Sequence, residues 1–202
     1  MDRSRRRVRG LAVVLAVIGI MAVSGGTGSA LDLDADLNKK IALAQKDKRA
    51  GNFSGAIETL ESVIALISKD PGDIESSKIH LELGHLYWNV GQVDRAKSSY
   101  ERAARLAQKY GIAEVSRLSG VFLNILADYT GGKDARHAGE YSESVRLFER
   151  AIGVAKKNNS REHMVKCLRQ VSLVYWETND FEKYLSLSQE ALALAKALNH
   201  KK

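Results

Sequence analysis

The string Leu83-Gly84-His85-Leu86-Tyr87-Trp88-Asn89-Val90-Gly91 returns as Val171-Ser172-Leu173-Val174-Tyr175-Trp176-Glu177-Thr178-Asn179. A degenerate third copy, Leu123 to Gly131, stands between them. An internal repeat constrains a chain more than any sum of propensities. A unit that cannot bury its apolar face alone must stack on the next copy of itself. Tight turns punctuate the copies at Arg49 to Phe53, Asn89 to Val93 and Thr178 to Phe181. Each offers Gly or Asn where a helix ends in a left-handed residue. One amphipathic helix precedes each turn and another follows it. A single proline, Pro71, in 202 residues suits a mostly helical chain.

The second copy has the clearest pattern. His80-x2-Leu83-Gly84-x2-Tyr87 is followed by Ala96-x3-Tyr100-x2-Ala103. This resembles the tetratricopeptide repeat, a helix-turn-helix unit that reads Trp-x2-Leu-Gly-x2-Tyr and then Ala-x3-Phe. The first copy keeps Gly51, Ala56 and Leu60, the third keeps Phe148 and Ala151 with Ser144 in the small place, and the fourth keeps Tyr175 and Ala191. The small-residue positions Ala56, Ala96, Ser144 and Tyr184 imply repeats at about 37–76, 77–116, 117–164 and 165–202. These exceed the usual period of about 34 residues and resemble the longer branch of the family. The third copy carries eight extra residues, Gly132 to Gly139, which the alignment puts between its two helices. The resemblance implies an all-α, right-handed helical-repeat solenoid of about four antiparallel helix pairs. Ala56, Ala96 and Ala103 let paired helices approach, and Tyr87, Tyr100, Phe148 and Tyr175 fill the space between pairs.

Net charge is +7, from 31 basic and 24 acidic residues. Five of the arginines, Arg3 to Arg9, lie at the amino terminus, and the rest of the chain is close to balanced. That distribution lacks the clustered basic patch of a nucleic-acid binder. Basic residues, then the uncharged Leu11 to Val23, then the small residues Ser24 to Ala30 form the order of a secretory signal peptide. Residues 1–30 are therefore expected to direct the 31–202 domain out of the cytoplasm, to a periplasmic or secreted location. The competing reading is an uncleaved anchor, with membrane contact confined to residues 11–30.

Chemistry is harder to place. The five histidines are scattered, and His80 and His85 do not share a helix face, so no metal site is expected. Cys167 is alone, which rules out an intramolecular disulfide and reads as a small core residue. No nucleophile, acid–base pair or phosphate loop emerges, so neither a catalytic role nor a cofactor is expected.

The resemblance implies a protein or peptide partner held on the concave face, which the first helix of each pair lines. By the alignment, Trp88, Trp176 and Asp128 share one column, and His85, Leu173 and Ile125 another. Lys78 and Lys166 share a third, and Leu81 and Arg169 a fourth. Each Trp follows the packing Tyr, about 100° further round the helix. It is either a binding anchor at the groove edge or packed on the neighbouring first helix. In the last helix, Leu185, Leu192 and Leu198 spread apolar surface round most of the circumference. That favours docking or a homo-oligomer through this helix, unless Lys183, Gln189, Glu190 and Lys196 make a sufficient polar stripe.

Overall fold

Every inter-helix turn described holds one residue with positive φ: Gly51, Gly91, Gly111, Gly139, Asn159 or Asn179. At Gly91 the reversal is closed by Gln92 N donating to Tyr87 O at 2.9 Å. At Gly139, Glu140 N donates to Ala135 O at 2.8 Å. This wrap satisfies carbonyls that the helix end leaves open, and only a residue tolerant of the left-handed region permits it. Asn159 and Asn179 fill the same role without glycine.

The computed structural model describes residues 29–67 and 74–199. The expected signal segment, residues 1–28 in the main, lies outside them. The described residues form eight helices and no strand: α1 (Ser29–Ala50), α2 (Phe53–Ile67), α3 (Ile74–Asn89), α4 (Val93–Lys109), α5 (Ala113–His137), α6 (Tyr141–Lys157), α7 (Arg161–Glu177) and α8 (Phe181–Asn199). None of these is long and apolar enough to cross a membrane. The chain divides into two units, Met1–Asp36 and Leu37–Lys202, and the repeat array lies in the second. From α2 to α8 successive helices pack on each other, and the first helices α3, α5 and α7 also meet in turn. This is the expected all-α helical-repeat array.

Volume matching between the two helices of a pair explains where glycine falls. A Cβ on Gly84 would sit 2.3 Å from Cε1 of the fully buried Tyr100. A Cβ on Gly132 would sit 2.9 Å from the ring of Phe148, also fully buried. Sixteen residues separate each pair. In both pairs a large aromatic wedge meets glycine. Ser144 Oγ also donates to Gly132 O at 2.7 Å, anchoring α6 on α5.

This pairing corrects the alignment of the third copy. The extra residues do not form a loop. Residues 132–137 continue α5, whose 25 residues exceed the 17 of α7. Counted back from the turn at Gly139, the equivalents of Gly84, His85 and Trp88 are Gly132, Lys133 and Arg136, not residues near 125–128. The added length comes before the repeat motif, because Ala and Arg near the end of α5 favour helix and Gly132 is required against Phe148.

The eight added residues amount to about 12 Å of helix at ~1.5 Å per residue. They produce a step in the array. The indole of Trp88, three residues before Gly91, touches Tyr129, ten before Gly139, at 4.7 Å. The C-terminal end of α3 consequently lies level with the middle of α5 and the start of α7.

Gly120, in the same long helix, has open space where a Cβ would go. Gly120→Ala is expected to stabilise the fold by about 0.5–1 kcal/mol through lower unfolded-state entropy. Gly84→Ala is expected to destabilise it by about 1–3 kcal/mol through overpacking. Thermal melts of the two variants check the opposite signs.

Candidate partner-binding surface

The step brings residues from three first helices into one aromatic layer. His163 of α7 lies between two parallel rings: the Trp88 indole at 4.8 Å and the Phe122 ring at 4.9 Å, each at 16°. Tyr129 closes on Trp88 edge-on, and His85 meets Phe122 edge-on at 4.5 Å. His85 Nδ1 lies 3.0 Å from the Tyr100 hydroxyl, and His163 Nδ1 lies 2.6 Å from Ser160 Oγ. His163 Nε2 and Trp88 Nε1 are buried without a hydrogen-bond partner among the described residues. Burial holds the His163 imidazole well below its ordinary pKa, and the nearby His85 and Lys166 charges add to this. His85 is likewise lowered by burial.

Charged groups seal the same junction. Lys166 Nζ donates to the carbonyl of Trp88 and, at 3.3 Å, to that of Asn89. A cation at a helix C-terminus meets the negative end of the dipole. Burial, with Arg169 beside it, brings the Lys166 ammonium down to about 8. Asn89 Nδ2 donates to Glu162 at 3.5 Å. Lys48 of α1 pairs with Glu82 of α3 at 2.5 Å. Burial opposes both charges of that pair, yet their mutual attraction wins, so Lys48 is raised and Glu82 lowered.

Several residues expected on an open concave face are therefore internal. Trp88 is 0% exposed. It is not presented, because the longer α5 carries Tyr129 against it and the step brings His163 onto its face. Ile125 is fully buried, and Asp128 is buried with both oxygens accepting from Arg150 of α6, Nε at 2.7 Å. Neither belongs to the column to which the alignment assigned it. Leu81 is half-buried against both apolar clusters, and Lys78 is half-buried and donates to Glu75 at 2.8 Å. His85 is half-buried in the aromatic layer.

The remaining expected residues share one stripe of α7. Glu162, Lys166, Arg169, Leu173 and Trp176 recur at i, i+4, i+7, i+11 and i+14, the spacing of a single helix face. The amino-terminal part, Glu162 and Lys166, is occupied by α3. The carboxy-terminal part is open: Arg169 is exposed, Leu173 half-buried, and Trp176 is 52% exposed. Phe181 and Tyr184 flank the Trp176 ring at 5.2 and 5.1 Å. The face thus offers an aromatic platform two helical turns along from Arg169. A second opening, of about 500 Å³, lies where α5 runs past the α3–α4 turn and is lined by Arg95, Tyr129, Thr130 and Lys133 among others. Counting the third copy back from Gly139 would have exposed both the step and this cleft. The sandwich around His163 left no such trace, since no repeat position pairs it with Trp88.

Residues 77–110 match the tetratricopeptide repeat family. The transcriptional activator NprA of Geobacillus stearothermophilus is 24% identical over 163 residues, 81% of this chain and 37% of that protein. Among solved structures, the Rap conjugation gene regulator of plasmid pLS20 in complex with the Phr* peptide superposes with a TM-score of 0.56. That match has 16% identity and covers 90% of this chain and 49% of the regulator. MamA gives a TM-score of 0.37 at 18% identity, covering 83% of this chain and 85% of MamA. The chain spans about a third of the curated relative and about half of the Rap regulator.

Proposed function

We propose, on the premise that this chain is a tetratricopeptide-repeat protein, that it is a non-catalytic adaptor holding a peptide or helix of another protein on the open half of the α7 stripe. The observation that carries this is the exposed Trp176 platform in line with Leu173 and Arg169. Aromatic and arginine side chains dominate binding energy at protein interfaces. The guanidinium suits a partner with an acidic group one helical turn or two from an apolar anchor. The Rap regulator, which shares the fold, is complexed with a peptide, and this supports a peptide-sized partner. The transcriptional role in the name of NprA belongs to a protein of which this chain spans about a third.

An array of immobilised 15-residue peptides, graded in acidic and apolar content, tests the reading. Peptides combining Asp or Glu with Leu or Phe are expected to bind best. Trp176→Ala and Arg169→Glu are each expected to weaken that binding by at least about tenfold, the loss of one interface anchor, with helicity unchanged. Equal binding by both variants would refute the site.

We also propose an extracytoplasmic setting, supported by the basic, apolar and small-residue order of residues 1–30. Amino-terminal sequencing of protein recovered from its native host checks this. A start near Leu31 supports export with cleavage; a start at Met1 in a soluble cell fraction counts against it.

A further inference from the structure

Helix α8 carries a stripe that, apart from the Phe181 ring against Trp176, nothing among the described residues covers. Phe181, Leu185, Gln189, Leu192 and Lys196 fall within about 40° of one line along the helix, and all five are exposed. Leu185 and Leu192 are 55% and 54% exposed. One repeat earlier, the equivalent positions on α6 are Val145 and Ile152, half-buried against the core. The array thus places apolar residues here where a helix normally lies on them.

The order of side chains identifies the helix that fits. Leu185 and Leu192 lie at equal distances from a point between Ser188 and Gln189, and so do Phe181 and Lys196. Two copies crossing antiparallel set Leu185 of each against Leu192 of the other. Phe181 comes beneath Lys196 of the second copy, the geometry of a cation over an aromatic face. The two Gln189 side chains lie next to the two-fold axis, and a carboxamide both donates and accepts. Glu182, one residue from Phe181, approaches Lys196 of the other copy, giving opposite charges at both ends. A parallel pair would place like charges together. A symmetric dimer requires this kind of self-complementary patch.

We infer that the chain self-associates through an antiparallel α8–α8 contact with its two-fold axis between Ser188 and Gln189. The contact is one helix pair, about 24 Å long for sixteen residues, at the small end of specific interfaces. A reversible dimer in the micromolar range is expected. The contact shares Phe181 with the platform around Trp176, whereas Arg169 and Leu173 lie on α7 outside the stripe.

Sedimentation velocity of the full chain in mild detergent, from 1 to about 500 µM, measures the association. The expected result is a shift from monomer to dimer that Leu185→Glu and Leu192→Glu abolish. Both substitutions are at exposed positions, so far-ultraviolet circular dichroism should be unchanged. Gln189→Cys tests the axis: mild oxidation should give a covalent dimer, whereas Glu190→Cys should not. Cys167 does not compete, being buried, with burial pushing its thiol up to about 12. A monomer throughout the range overturns the inference. So does a dimer that survives both Leu→Glu changes, or one that Gln189→Cys fails to lock. Arg169→Glu, which tests peptide binding and lies outside the stripe, is expected to leave the α8 dimer unchanged.

Discussion

Trp88→Ala is expected to destabilise the array by about 3–5 kcal/mol, the usual loss for truncating a fully buried aromatic. The ring is 0% exposed, stacks on His163, meets Tyr129 edge-on and lies beneath the Lys166 ammonium at 5.0 Å. Its removal leaves a cavity bounded by three helices that are fixed elsewhere by their own partners, so collapse around the void is limited. Trp176→Ala removes the equivalent residue of the fourth copy and is expected to cost less than about 1 kcal/mol, because that ring is half in solvent. Urea unfolding of the two variants, read as midpoint shifts, checks the contrast. Similar shifts would mean that the two indoles do not differ in burial.

Acid is expected to weaken the fold below about pH 6.5, and His163 should account for one proton of the effect. Its pKa in the folded state is depressed by burial, then by the His85 and Lys166 charges. The unfolded chain therefore binds more protons than the folded one between the depressed value and about 6.5. Stability is complete above pH 6.5 and is lost as pH falls, by up to about 1.4 kcal/mol per pH unit for one such site. The imidazolium would lie between two rings, with Ser160 as its hydrogen-bond partner rather than a carboxylate. His163→Phe keeps a flat ring in the stack and removes the titration. Unfolding free energies at pH 7.5, 6.5 and 5.5 should fall less steeply in this variant, by about one proton's worth of slope. A remaining slope is expected from His85, lowered by burial, and from His80, lowered to about 4 by burial with Arg102 and Arg105 nearby. Identical slopes in variant and parent would remove His163 from the account.

The repeat was legible because its punctuation is local. A left-handed residue ends each helix whatever the neighbours do, so Gly51, Gly91 and Asn179 could be read directly. The pairing of Gly84 with Tyr100 recurs at a constant spacing, and Gly132 with Phe148 follows it once the third turn is placed at Gly139. The third copy was misplaced because Leu123 to Gly131 imitates the motif in its apolar spacing, while the true copy has Ala135 where the second and fourth have Tyr87 and Tyr175. Apolar periodicity within one long helix cannot show which eight residues are the added ones. That decision is made across helices, where Phe148 admits only a glycine opposite.

The amino-acid sequence alone determined that the chain is a stack of helix pairs, with Tyr87 and Tyr100 as packing residues. It also placed Lys166, Arg169, Leu173 and Trp176 on one face of a helix. Tertiary structure decided which part of that face is free. Trp88 and Trp176 have the same local setting, each after a Tyr and three residues before a left-handed turn. One is enclosed and the other is half in solvent. Trp88 is enclosed because α5 and α7 set Tyr129 and His163 over the end of α3, whereas the end of α7 lies beside only Phe181 and Tyr184 among the described rings. Exposure depends on the axial offset between neighbouring helices, a sum over the whole stack, and no single repeat contains it.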